Sequence, residues 1–169
     1  LPTEGIYIAD LLTGRPILEL DGLCRWFDGP FTSPDYVESD DCVGYPGPWR
    51  DLVNNAVFSP DGSLLAMAGE SGRFAVWDLD RGDMIWSQDA PGGIERALTF
   101  SDANVSFSPD GETLLTSMFT GSNGLDEPAT IQVRRVAALD SVVAEFETNV
   151  GGPSNIEFTP DGRHVVFND

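Results

Sequence analysis

The sequence predicts an all-β chain built from about three copies of one four-stranded antiparallel repeat. A five-residue phrase recurs at positions 58–62, 107–111 and 158–162, after steps of 49 and then 51 residues. Each phrase contains Pro-Asp-Gly, which favours a tight turn because proline fixes φ and glycine suits the last turn position. Short apolar stretches flank every phrase, as expected of strands. Repetition at a nearly constant period indicates a repeat architecture.

The repeat around residues 51–100 shows the strand pattern most clearly. Ala56 and Phe58 alternate on a first strand, and we expect both to point inward. After the turn, residues 65–67, 74–77 and 84–86 supply three more short apolar strands. Glycine, proline and aspartate separate these strands, which indicates an antiparallel meander.

The repeat in residues 101–150 follows the same plan. Val105 and Phe107 lead into its turn, and residues 114–116, 130–133 and 142–146 form the remaining strands. We expect Phe58, Phe107 and their counterparts to be buried between neighbouring sheets, with the further core members Phe158, Ile156, Val76 and Val133.

The third copy is divided between the two ends of the sequence. Residues 156–158 and 165–167 form only a first and a second strand. Residues 6–17 align without a gap on residues 74–85, which are a third and a fourth strand. The predicted organisation is a single unit with strands three and four of the split repeat in 1–21, an insertion in 22–50, complete repeats in 51–100 and 101–150, and strands one and two of the split repeat in 151–169.

Residues 55–66 followed by Phe74-Ala75-Val76-Trp77-Asp78 resemble a blade of the WD-repeat family, in a degenerate, bacterial-type form with Phe-Ser-Pro-Asp-Gly turns. Trp77-Asp78 stands where the dipeptide that names the family falls. The resemblance covers the chain except residues 22–50. It implies a segment of a β-propeller with four-stranded antiparallel blades, acting as a non-enzymatic protein-protein interaction scaffold.

The chain also departs from the family pattern. Gly-His does not precede the first strand, and the counterparts of Trp77-Asp78 are Ala9-Asp10 and Arg134-Arg135. Related propellers that accompany exported receptors or peptidases carry a similar turn. The alternative function is therefore an accessory propeller that gates or positions a hydrolase or receptor domain outside this chain.

Three blades do not close a ring, because propellers have about four to eight. One interpretation is a fragment that pairs with a missing propeller segment. The other is self-assembly, in which strands one and two of one copy complete the blade begun by strands three and four of another.

The charge balance restricts the partners. The formal net charge is −19, and all nine basic residues are arginine. Such a chain repels phosphate backbones and anionic membrane surfaces, which argues against nucleic-acid and membrane partners, and it attracts basic proteins. No apolar run reaches the roughly 18 residues of a membrane helix, and the first residues do not form a basic-then-apolar leader.

Two cysteines, Cys24 and Cys42, bracket most of the insertion. A disulfide between them would staple the loop and indicate an extracytoplasmic location. Two free thiols would indicate the cytoplasm. The sequence leaves both alternatives open, and two cysteines without a neighbouring histidine do not form a zinc set.

The insertion also combines carboxylates with aromatic rings. This pattern is a candidate partner-binding patch, because aromatic residues dominate interface hot spots. Packing of the rings on the propeller is the alternative, and calcium binding is weaker because the ligand spacing of a calcium loop is absent. The residues are Trp26, Phe27, Phe31, Asp35, Tyr36, Glu38, Asp40, Asp41 and Trp49.

Catalysis has little support in the sequence. It contains neither a phosphate-binding Gly-Lys motif nor a dinucleotide fingerprint, and its one histidine, His164, aligns in a second strand with Leu64. Hydrolysis of glycosides needs a specific pair of carboxylates, and nothing in the sequence singles out such a pair. We therefore predict no enzyme activity, no cofactor and no metal, and assign the repeated Pro-Asp-Gly aspartates to turn geometry rather than to a carboxylate ring.

Overall fold

The computed structural model describes residues 6–9, 11–13, 16–20, 53–69, 72–89, 103–118, 128–148 and 155–168. The chain divides into two compact units, Leu1–Leu52 and Val53–Asp169. The described ranges contain strands and turns but no helix. The chain is therefore all-β, as predicted.

The first unit contains a two-stranded antiparallel hairpin. Strand β1 (Ile6–Ala9) pairs with β2 (Pro16–Leu20), with Ile6 opposite Leu20 and a register shift after Ile8. Both strands fall within the residues expected to be strands three and four of the split repeat.

The second unit begins with a complete four-stranded sheet, here called the first blade. It contains β3 (Val53–Phe58), β4 (Leu64–Gly69), β5 (Phe74–Asp78) and β6 (Asp83–Gln88), hydrogen-bonded in chain order. All neighbouring strands are antiparallel. The predicted meander is confirmed.

The second blade repeats this arrangement. Strands β7 (Ala103–Phe107), β8 (Thr113–Met118), β9 (Thr130–Arg135) and β10 (Ala138–Glu147) are again neighbours in chain order. Strand β10 is longer than predicted, because it begins directly after the turn at 136–137 and shifts register twice along β9.

The third sheet has two strands, here called the half-blade. Strand β11 (Asn155–Phe158) pairs with β12 (Val165–Asn168) in continuous antiparallel register, with Ile156 opposite Phe167. The exposed His164 lies immediately before β12 rather than inside it, which corrects its predicted position in a second strand.

A first core fills the space between the two complete blades. The first blade contributes Phe74 and Val76 from β5, while the second contributes Val105 and Phe107 from β7. Because side chains alternate along a strand, Leu114 of β8 joins this core while the next residue, Leu115, joins a second one.

The second core lies between the second blade and the half-blade. Leu115 and Ile131 are fully buried against Ile156. Partly buried residues complete the cluster: Val133, Phe158 and Val165. The inner strands β7 and β8 of the second blade are therefore covered on both faces, whereas most of the outer strand β10 is exposed.

Burial agrees with the prediction except in the first strand of the first blade. Phe107, Ile156 and Val76 are buried, but Ala56 is exposed and Phe58 is 53% exposed. Phe107 packs against the first blade and Phe158 against the second. Phe58 points to the opposite side of the first blade, and its side chain remains about half exposed. Its predicted burial is wrong.

In the described ranges, no helix has the length and apolar character that a membrane crossing requires.

Candidate interaction surface

One edge of the second unit is formed by three equivalent turns, here called the turn edge, at residues 59–63, 108–112 and 159–163. In the first, the Ser59 hydroxyl donates to Asp61 Oδ1 over 2.6 Å and accepts the Leu64 N–H over 2.9 Å. The same carboxylate oxygen accepts the backbone N–H of Ser63 at 3.0 Å. One hydroxyl and one carboxylate thus satisfy two backbone donors and fix the turn.

The other two turns reproduce this arrangement. Ser108 donates to Asp110 over 2.5 Å, and Thr159 donates to Asp161 over 2.5 Å. Gly62, Gly111 and Gly162 each have φ between +66° and +74°. Glycine is required there because other residues rarely adopt this conformation. The assignment of the repeated aspartates to hairpin geometry is confirmed.

Hydrogen bonding keeps the three turn carboxylates ionised. The Ser59 hydroxyl is the largest influence that lowers the pKa of Asp61, to about 2. Ser108 and Thr159 likewise lower the pKa values of Asp110 and Asp161. At neutral pH the carboxylates of Asp61, Asp110 and Asp161 are therefore ionised.

Neighbouring turns of the turn edge lie close together. A Cβ placed on Gly111 would lie 3.5 Å from Cδ of Pro60, and one on Gly162 would lie 3.5 Å from Cδ of Pro109. Pro60 and Pro109 therefore lie near the glycine of the following repeat, where an added Cβ would reach van der Waals contact with the proline ring.

An open depression of about 450 Å³ lies between the first two turns. Its wall combines the carboxylates of Asp61 and Asp110 with the apolar side chains of Pro60, Leu64 and Val136. The combination suits a partner side chain with an aliphatic stem and a cationic head.

A buried cation connects the outer strands of the two blades. Arg134 of β9 is 4% exposed, and its guanidinium carbon lies 5.0 Å from the centre of the Trp86 ring on β6. Burial lowers the pKa of Arg134, while the charges of Asp140 and Glu145 act in the opposite direction. The contact is a cation–π interaction between the blades.

Hydrogen bonds orient the same guanidinium. Arg134 Nη1 donates to the Leu139 carbonyl at 2.7 Å, and Nη2 donates to Gln132 Oε1 at 2.7 Å and to Gln88 Oε1. Gln132 in turn donates to Glu145 over 2.7 Å. Gln88 belongs to the first blade, so the network fastens the two blades at their outer strands.

Arg134-Arg135 aligns with Trp77-Asp78 in the sequence, but that alignment does not reveal this network. Trp77 is 3% exposed, and Asp78 accepts the Arg81 N–H at 3.0 Å to close the turn between β5 and β6. Arginine at the repeat position of the buried Trp77 was the feature from which the network could have been predicted, because a buried arginine requires hydrogen-bond acceptors.

The partner-binding residues predicted in the insertion lie outside the described residues, as do Cys24 and Cys42. Their roles stay predictions, and the aspartates of the turn edge are not brought into any metal-binding group. Across the described ranges, no three His, Cys, Asp or Glu side chains are grouped so that they could hold a metal ion.

No protein-family model matches the chain. The protein named small ribosomal subunit protein RACK1 from Medicago sativa is 49% identical over 49 residues, which are 29% of this chain and 15% of that protein. Its namesake from Candida albicans is 34% identical over 67 residues, 40% of this chain and 20% of that protein. The chain thus matches at most a fifth of the length of these relatives. RACK1 is a WD-repeat β-propeller protein, which supports a WD-repeat character for the matched stretch.

Proposed function

We propose that this chain is a non-enzymatic protein-interaction scaffold of degenerate, bacterial-type WD-repeat blades. The observation that carries the proposal is the continuous stack of blades, joined by two cores and by the Arg134 network. A rigid stack holds its loops in fixed relative positions, and such loops are the usual place for recognition. The local similarity to RACK1 supports the same class of function.

The partner that fits this chain best is a basic protein. The net charge of −19 attracts cations at long range, and the turn edge adds three carboxylates that remain ionised. The aromatic and acidic residues of the insertion are a separate candidate for partner contact, with rings for burial and carboxylates for cationic side chains.

Affinity capture with the folded chain, followed by titration of the purified binder, tests this function. In the test variant the four carboxylates of the candidate partner-binding patch become amides: Asp35→Asn, Glu38→Gln, Asp40→Asn and Asp41→Asn. We expect at least tenfold weaker binding in calorimetry, because the cationic side chains of the partner lose their counter-charges.

A second amide variant removes the same amount of charge at exposed positions of the second unit that do not belong to the turn edge. It carries Asp80→Asn, Asp83→Asn, Asp140→Asn and Glu147→Gln. We expect it to retain most of the affinity. If both variants bind equally weakly, the interaction depends on the overall negative charge and not on the carboxylates of the candidate partner-binding patch. Substrate turnover by the chain alone would contradict the scaffold.

A further inference from the structure

The depression between the first two turns combines two kinds of wall. Its apolar wall is formed by Pro60, Leu64 and Val136, and its polar wall includes the carboxylates of Asp61 and Asp110. Leu64 and Val136 are half-buried because they also pack against the first core, so the stack of blades holds the apolar wall in place. The depression is therefore a preformed feature of the junction between the two complete blades.

Each of the two carboxylates uses one of its oxygens to hold its turn. Asp61 Oδ1 accepts the Ser59 hydroxyl at 2.6 Å, the Ser63 N–H at 3.0 Å and the Ser63 hydroxyl at 2.9 Å. Asp110 Oδ1 accepts two hydrogen bonds from its own turn, at 2.5 and 3.0 Å. Within the described ranges, Oδ2 of each carboxylate accepts no hydrogen bond from another residue. The Oδ1 atoms are thus occupied, and the Oδ2 atoms are available to a ligand.

The depression also carries negative charge that the described part of the chain does not balance. None of the described residues that line it is basic. The arginine ion pairs among the described residues join Arg73 to Asp89 and Arg81 to Asp78, and neither pair includes an aspartate of the turn edge. A cationic ligand would supply the counter-charge, and the apolar wall would receive an aliphatic chain attached to it.

We propose that this depression is a binding site for one lysine side chain of the basic partner. The aliphatic stem lies against the apolar wall, and the ammonium group donates to Oδ2 of Asp61 and of Asp110. The proposal rests on the proposed function, because it assigns one contact of the basic protein partner. The 169 residues contain no lysine, so the occupant comes from outside this sequence.

Lysine fits this arrangement better than arginine. A guanidinium group binds a carboxylate most strongly through two parallel N–H bonds that occupy both oxygens. That geometry is blocked here, since Oδ1 of Asp61 and Oδ1 of Asp110 already accept hydrogen bonds from their turns. An ammonium group has three donors, and these can reach single oxygens on two separate carboxylates.

NMR titration of the unchanged chain, labelled at valine and leucine methyl groups, tests the site with a defined probe. The probe is Nα-acetyl-lysine methylamide, and binding in the millimolar range is expected because so small a ligand makes few contacts. The methyl signals of Leu64 and Val136 should shift saturably, whereas those of Val166, which is 59% exposed on the half-blade and does not line the depression, should not.

Two analogues of the probe separate the contributions of stem and charge. The norleucine analogue keeps the stem without the ammonium group, and the arginine analogue keeps the charge on a guanidinium group. Each should bind roughly threefold more weakly or worse, in line with the modest strength of an exposed ion pair. The absence of saturable shifts at Leu64 and Val136, or equal affinity for the lysine probe and either analogue, overturns the proposal.

Variants of the turns locate the charge that the probe recognises. Asp61→Asn and Asp110→Asn should each weaken binding of the lysine probe by roughly threefold. Asp161→Asn is the matched control, because Asp161 makes the same bond to its turn hydroxyl but does not line the depression. Equal weakening by all three variants overturns the proposal. The comparison of analogues uses the unchanged chain, so it remains decisive if a variant fails to fold.

Failure of this site can be told apart from failure of the proposed function. The probe titration needs only the chain itself, whereas the proposed function is tested by capture of a basic protein. If the probe binds but no basic protein is captured, the lysine site stands and the scaffold function fails. If a basic protein binds but the probe does not, the lysine site is overturned and the scaffold function stands.

Discussion

The guanidinium of Arg134 lies over the indole ring of Trp86, at 5.0 Å from guanidinium carbon to ring centre. The two residues belong to different blades, so a single side chain of β9 joins two sheets. Its charge is acceptable in this buried place because three carbonyl oxygens accept its N–H groups.

Replacing Arg134 should weaken the contact between the two complete blades. We expect Arg134→Met to reduce the free energy of unfolding by roughly 2–4 kcal/mol, because buried acceptors lose their donor and the ring loses its cation. Urea unfolding followed by tryptophan fluorescence measures the change. Arg135→Met should change stability by less than about 0.5 kcal/mol, since Arg135 is exposed. Equal losses in both variants would contradict the role of Arg134.

The Ser59 hydroxyl should contribute measurably to the free energy of unfolding. Ser59→Ala removes the acceptor of the Leu64 N–H and the donor to Asp61. We expect a loss of about 1 kcal/mol in the free energy of unfolding. Ser59→Thr should change it by less than about 0.5 kcal/mol, because Thr159 makes the same bonds in the third turn. A threonine variant as unstable as the alanine variant would contradict this account.

The turn carboxylates should make stability depend on pH in the acid range. Their pKa values are lowered in the folded state, for Asp61 from 3.8 to about 2. The stabilisation is therefore fully present above the unfolded value and is lost as the pH falls from about 3.8 towards 2. Melting temperatures of the unchanged chain and of Asp61→Asn should differ at pH 7 and converge near pH 2. A difference that stays constant over this range would contradict the hydrogen-bonded carboxylate.

The second core should be sensitive to truncation. Leu115 is fully buried against Ile131 and Ile156. We expect Leu115→Ala to reduce the free energy of unfolding by about 2–5 kcal/mol, since it loses apolar contact and leaves a cavity. Val143→Ala, at an exposed position of β10, should stay within about 0.5 kcal/mol of the unchanged chain. Denaturant midpoints compare the two, and a small effect at Leu115 would show that the half-blade does not stack on the second blade.

The sequence predicted the strands well because local chemistry decides them. The Pro-Asp-Gly turns and the alternating apolar residues set each hairpin, and the strands followed in order. Burial of Phe58 was mispredicted because it depends on a neighbouring sheet, which periodicity within one repeat does not reveal. The Arg134 network was missed for the same reason: its ring and one of its acceptors come from another repeat, 46 to 48 residues earlier in the sequence.

Pro60 lies close to Gly111, and Pro109 lies equally close to Gly162, which has a consequence for how such a chain can grow. Each repeat contains a proline that lies near the next repeat and a glycine that lies near the preceding one. A repeat that is duplicated in frame therefore brings both residues of the proline–glycine pair with it. Lengthening the stack then requires no compensating substitution at the turns. A bulky residue introduced at one of these glycines, in contrast, would meet the proline ring of the preceding repeat. A single duplication can thus change the number of repeats, while the same proline–glycine pair is kept between adjacent turns.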